Sequence, residues 1–166
     1  ILYLLDSVAH VIRKIDLTNQ SITAFAGTAD TMGNTSSTLY YPLGITFKGN
    51  ELLTTGFNKG NDVRRIDLTS GVISTLTGQY TVSGTADGNS TQTQFMGLNS
   101  LSLFGNDLYA ADKDGHTIRK IDVSDMNNPI STTVAGSGTA GTVDGIGASA
   151  SFNAPYISVS NDGIDI

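Results

Sequence analysis

Apolar positions in this chain fall in short runs, cut apart by clusters of Gly, Asn, Asp, Ser and Thr. No segment keeps apolar residues at i, i+3, i+4 and i+7 over three turns, so no helix is predicted. The runs are rich in Val, Ile and Thr, which suit a pleated surface. Residues 41–47 (YPLGITF) read as a strand, closed by a turn at Lys48-Gly49-Asn50. Residues 51–55 read as the next strand. After a loop, residues 62–67 (DVRRID) form a third, and Leu68-Thr69-Ser70-Gly71 turns the chain into a fourth at 72–76. Asx and Gly at these junctions supply local side-chain caps and positive φ. Turn signals about ten residues apart suit an antiparallel meander.

The same unit occurs three times. The first copy reads Leu2-Tyr3-Leu4-Leu5-Asp6, then Ile12-Arg13-Lys14-Ile15-Asp16, then Ala26-Gly27. The third reads Leu108-Tyr109-Ala110-Ala111-Asp112, then Ile118-Arg119-Lys120-Ile121-Asp122, then Ala135-Gly136. The second is looser: Leu52-Leu53-Thr54-Thr55-Gly56, then Val63-Arg64-Arg65-Ile66-Asp67, then Thr77-Gly78. A period of roughly 50 residues marks a repeat architecture with one supersecondary unit per copy. Within the strands, apolar residues fall on both faces, as in Val11-Ile12-Arg13-Lys14-Ile15. That is expected where each small sheet is sandwiched between two others. Four strands per repeat, stacked face to face, describe the blades of an all-β propeller.

These residues resemble the NHL-repeat family of propellers, usually six-bladed, in its bacterial long-insert form. The match is LYxxD, then HxIRKID, then AG, followed by a Gly-rich insertion clearest over residues 136–156. The second copy departs from it. Gly56 replaces the Asp, Asn61 replaces the His, and Gly97-Leu98 stands where Ala154-Pro155 does in the third. The resemblance implies about three blades of a probable six, with repeats at 1–50, 51–106 and 107–163 and the start of a fourth at 164–166. The chain then begins at the second strand of a blade. Residues 156–166 hold a first strand and an Asn161-Asp162-Gly163 turn. A fragment of a longer protein is expected, or copies that pair to close the ring. Either way, an open half-ring exposes two apolar sheet faces.

Composition narrows the function. The 166 residues include no Cys, so disulfides and thiolate metal sites are excluded. Net charge is −6, which argues against a nucleic-acid partner. No apolar run is long enough for membrane insertion. Few charges, much Thr, Ser, Gly and Asn, and no Cys suit an extracellular, periplasmic or cell-surface location. Asn-x-Ser/Thr sequons stand at Asn19, Asn34 and Asn89.

Parity of a four-stranded meander places the loops between second and third strands on the same end as those joining one blade to the next. These are the long loops: 7–10, 57–62 and 113–117 within blades, and 28–40, 79–94 and 137–153 between them. Binding residues concentrate on such loops over a rigid scaffold. Asp30, Asp87, Asp144 and Tyr156 are the candidate contacts on this face. Asp6 with His10, and Asp112 with His116, share a spacing that suits a structural loop clamp, the carboxylate accepting from loop amides or imidazole. The Arg-Lys or Arg-Arg pairs are expected along the blade surface, beside the Asp of Ile-Asp. No cofactor is expected; Ca²⁺ is the ion the Asp-Gly loops could take, though no EF-hand spacing is present. No Ser nucleophile elbow or HExxH motif occurs. The expected function is a non-enzymatic interaction scaffold that binds protein or glycan, or self-associates, through the long-loop face. The alternative is a fragment of a metal-dependent propeller enzyme, lyase- or lactonase-like, whose site lies in other blades.

Overall fold

The computed structural model describes residues 1–56 and 60–160. Phe57, Asn58 and Lys59, the turn read at 161–163 and the repeat start read at 164–166 lie outside the described residues. The all-β expectation holds: three antiparallel sheets follow one another along the chain, with no α-helix among the described residues. The first sheet has three strands, β1 (Leu2–Asp6), β2 (Val11–Ile15) and β3 (Ile22–Ala26). The second has four, β4 (Pro42–Lys48), β5 (Glu51–Gly56), β6 (Asp62–Asp67) and β7 (Ile73–Gly78). The two-residue strand β8 (Gly88–Asn89) follows. Then come β9 (Leu98–Phe104), β10 (Asp107–Asp112), β11 (Thr117–Asp122) and β12 (Ile130–Ala135). These five order as β8-β12-β11-β10-β9. One 3-10 turn spans Gly147–Ser149.

Two cores explain the apolar residues on both strand faces. Ile12 and Ala26 of the first sheet pack with Leu52, Ile66 and Ile73 of the second. The neighbouring positions Leu53, Val63 and Leu76 point the other way, into Phe95, Leu98, Leu108 and Ile121. The second sheet thus presents alternate residues of each strand to opposite partners, as the period of two requires. Both cores are apolar and close-packed, so each contributes mainly through area removed from water.

Each copy carries the same irregularity. The β2–β3, β6–β7 and β11–β12 ladders shift register at Ile12/Arg13, Val63/Arg64 and Ile118/Arg119. The glycine of each Ala-Gly or Thr-Gly pair lies beside that bulge. Gly27, Gly78 and Gly136 have φ of 91, 90 and 101°. A Cβ there would stand 2.3, 2.6 and 2.4 Å from the carbonyl oxygens of His10, Asn61 and His116. Only glycine fits both the conformation and the close approach.

The Asp of each Ile-Asp pair caps the following turn. Asp16 accepts from the amide and hydroxyl of Thr18, Asp67 from the amides of Thr69 and Ser70, and Asp122 from the amide of Ser124. These bonds hold all three carboxyls below the ordinary carboxylate value. The repeated arginines pair with other carboxylates, Arg13 with Asp6, Arg64 with Asp62 and Arg119 with Asp87. Arg64 and Arg119 are buried, a departure from the surface placement expected of them. Their side chains turn from the third strand of their sheet toward the insert that precedes it, whose carbonyls need donors.

Residues 156–160, expected as a first strand, form no ladder among the described residues. They run beside β9: the amides of Ile157 and Val159 donate to the hydroxyls of Ser100 and Ser102 at 3.1 and 3.0 Å. The ladder partner of a first strand is the second strand of its own sheet, and no such strand follows within the described residues.

Candidate functional site on the long-loop face

The loops after β1, β3 and β7 gather at one end of the strands. Asp30 lies here with a positive φ of 56°, its amide donating to Ala9. His10, in the loop after β1, is buried, and its Nδ1 accepts the amide of Tyr41 at 3.2 Å. His116 repeats this with Ala154 at 3.4 Å. All four residues have positive φ, so each histidine fixes an otherwise unfavourable corner where an insert enters the next sheet. Asn61 takes the position in the second copy and donates instead to the carbonyl of Val82 and the hydroxyl of Ser83.

Asp112 accepts the amides of Met96 and Gly97, the nearest at 2.8 Å, and so holds the insert ahead of β9. Burial pushes its carboxyl above the ordinary value despite those donors. Asp6 occupies the matching place in the first sheet and is half-exposed, bonded to Arg13 Nε at 2.8 Å. His and Asp of one copy do not touch as a pair. Each histidine and Asp112 hold an insert, whereas Asp6 bonds Arg13 of β2.

The arginines do more than the sequence suggests. Arg119, fully buried, donates to the carbonyls of Gln94 and Ala86 and to Asp87 Oδ1, at 2.9, 3.1 and 2.6 Å. It lies 3.6 Å from Asp112 and stands over the ring of Phe95, 4.9 Å from its centroid. Asp87 completes its bonding on the amide and hydroxyl of Thr133. Asp87 is thus committed to the joint between sheets. Arg64 donates to the carbonyl of Thr35 and faces Asp62 at 3.5 Å, while Asp62 also accepts from Asn34 and Thr75. Burial raises the Asp62 carboxyl and lowers the Arg64 guanidinium, the mutual attraction offsetting only part of the desolvation.

Over this Asn34–Asp62–Arg64 network lies an aromatic cluster. Tyr40 and Tyr41 meet edge to face at 5.3 Å, Tyr40 meets Tyr80 at 5.8 Å, and His10 sits 4.4 Å from Tyr41. Burial and the neighbouring Tyr40 and Asp62 raise the Tyr80 hydroxyl above its usual value. A cavity of about 10 Å³, room for one water, lies between the rings and the network. The rings are half-buried and lie on polar groups that are bonded to one another, so the face is flat aromatic surface held by a fixed network. Nothing in the repeat pattern announces it. Tyr40 and Tyr41 precede the Pro that starts β4, and Tyr80 arrives from the following insert.

The remaining candidates stand apart. Tyr156 is 71% exposed beyond the third insert. Asp144 is exposed, and no described side chain bonds to it. No group of three or more His, Asp or Glu side chains that could hold an ion comes together among the described residues.

No family model matches the chain, and no curated protein matches it. Solved structures do. An auxiliary nutrient binding protein from Bacteroides thetaiotaomicron matches 96% of this chain at 20% identity and a TM-score of 0.74. Another, from Bacteroides ovatus, matches 96% at 24% identity and 0.71. A protein of unknown function from Bacteroides thetaiotaomicron matches 97% at 23% identity and 0.76. At these identities the likeness is one of fold. The match takes in 40%, 40% and 39% of those chains, so this chain spans well under half their length.

Proposed function

We propose that this chain is about three NHL-like blades of a β-propeller and serves as a non-enzymatic binding module of an envelope protein. Its ligand is an oligosaccharide taken on the long-loop face. The observation that carries this is the Tyr40–Tyr41–Tyr80 cluster set over Asn34, Asp62 and Arg64. Tyrosine rings offer stacking area with little entropy to lose, while the buried network beneath them holds the rings in place. The face also joins two sheets, a common place for small-molecule sites. The auxiliary nutrient binding proteins that share the fold support a binding role. The propeller reading rests on three successive sheets with one repeated bulge, glycine and arginine each.

Titration calorimetry against a panel of soluble oligosaccharides tests this. At least one should bind, and replacing both Tyr40 and Tyr80 with Ala should weaken it by about 2–4 kcal/mol while β-type circular dichroism persists. No binding across the panel, or binding unchanged in the double variant, would remove the glycan reading.

A further inference from the structure

The joint between the second and third sheets carries an open groove, separate from the tyrosine cluster. Its volume is about 410 Å³, within the range of small-molecule sites. None of the residues around the water-sized cavity beneath the tyrosines lines it. One wall is β7, another is the insert at Ser90, and the third is the connection from β11 to β12. The first joint has a smaller counterpart, about 270 Å³, walled by Phe25, Ser37 and Val72. The two joints differ in one connection. Five residues, 68–72, join β6 to β7, whereas seven, 123–129, join β11 to β12. The longer connection is pinned. Val123 and Met126 pack on the core, the amide of Val123 donates to Asn106, and the amide of Asn127 donates to Asp125. The groove therefore has its shape before any ligand arrives.

Arg65 lines this groove. Arg13, Arg64 and Arg119 each pair with a carboxylate, but Arg65 pairs with none among the described residues. Its Nε donates to the Ser74 hydroxyl at 3.1 Å and its Nη1 to the Met126 carbonyl at 3.0 Å. These two bonds fix the plane of the guanidinium. Nη2 makes no bond among the described residues, and solvent reaches it. A guanidinium held in this way takes a carboxylate with little side-chain freedom left to lose. Groups suited to hydroxyls stand around it. Gln79 commits its side-chain nitrogen to the Thr91 carbonyl, which leaves its oxygen to accept. The Ser90 hydroxyl and the Asn127 side-chain amide make no bond among the described residues. Leu76 and Met126 supply apolar lining.

We propose that this groove binds a polyhydroxy carboxylic acid of monosaccharide size, the class to which uronic acids belong. The carboxylate pairs with Arg65, the hydroxyls meet Gln79, Ser90 and Asn127, and a carbon face of the ligand lies against Leu76 and Met126. A bare anion leaves the hydroxyl-binding groups unused, and a neutral sugar leaves the guanidinium unpaired, so the groove selects for both features together. Lys14 holds the position of Arg65 in the first copy, beside the shorter connection. Lys120 holds it in the third, where it pairs with Asp107 at 3.4 Å. The inference goes beyond the oligosaccharide reading and does not need it, since the tyrosine face and the groove share no residue.

Amide-shift NMR with galacturonate, galactose and sulfate as probes tests it. Galacturonate should shift the amides of Arg65, Gln79, Ser90 and Asn127, and galactose and sulfate should each bind at least ~10-fold more weakly. Arg65→Met and Asn127→Asp should each weaken galacturonate by at least ~10-fold, the first by removing the cation and the second by placing a competing carboxylate in the groove. Arg65→Lys should bind between the native chain and Arg65→Met, because the charge stays and the planar fork is lost. The double variant Tyr40→Ala, Tyr80→Ala should bind galacturonate as the native chain does, so the two readings fail separately. Galacturonate that shifts none of the groove amides overturns the proposal, as do shifts confined to Tyr40, Tyr41 and Tyr80. Sulfate or galactose that binds as tightly as galacturonate overturns it too, since the groove then takes any anion or any sugar. Arg65 also ties the β11–β12 connection to β6. Should Arg65→Met lose its β-type circular dichroism, Asn127→Asp decides alone, its site being exposed, and unchanged binding by that variant overturns the proposal.

Discussion

Single residues in this chain are constrained most where backbone meets backbone. Gly136 and Gly105 both have positive φ, at 101 and 58°. A Cβ on Gly136 meets the His116 carbonyl, while one on Gly105 meets nothing within 4 Å. Gly136→Ala should therefore cost about 2–4 kcal/mol and Gly105→Ala about 1 kcal/mol, read by denaturant unfolding. Equal costs would mean that φ alone, and not the carbonyl contact, sets the requirement. The glycine's place was legible in the sequence as the last letter of a thrice-repeated motif. The arginine's role was not. A repeated Arg beside Lys reads as surface charge, because sequence shows which strand position it holds but not that an insert folds over that face. Arg119 is buried among three protein acceptors supplied by residues 25 to 33 positions earlier.

At the scale of an element, the turns after β2, β6 and β11 are each closed by an acidic cap, and they set an acid limit on stability. Asp16, Asp67 and Asp122 titrate below the ordinary value of 3.8 in the folded chain. A depressed folded value stabilises fully above the unfolded one and is lost as pH falls through the folded one. Asp62 and Asp112 run the other way. Burial raises them, so their ionised forms weigh against the fold at neutral pH, and that penalty fades as pH falls toward 3.8. The melting temperature should thus rise on mild acidification and fall below pH 3.8, and Asp67→Asn should flatten the acid limb. A profile that falls monotonically from neutral pH would show the buried pair to be stabilising in its charged form. Strand positions and most turns could be read from the residues, since Asx and Gly punctuate them at every repeat. The two-residue strand β8 could not, because pairing of Gly88 and Asn89 with β12 depends on where the whole insert lands. The tyrosine cluster was equally hidden, being assembled from two inserts with no shared period.

For the whole molecule, the same repeat position can be core or surface depending on what stands in front of its sheet. Leu52→Ser removes a residue with 0% exposure and should cost about 3–5 kcal/mol. Leu2→Ser, at the equivalent place with 51% exposure, should leave the unfolding of the chain nearly unchanged. Comparable destabilisation at low protein concentration would mean that the first sheet buries this face by itself. The stacking also has a direction. The first two inserts each receive an arginine that lies later in the chain, Arg64 and Arg119. During synthesis from the N-terminus, each of these two inserts has therefore left the ribosome before the arginine it receives. The sheets can add one at a time to a growing end, each arriving at a seat already prepared by its predecessor.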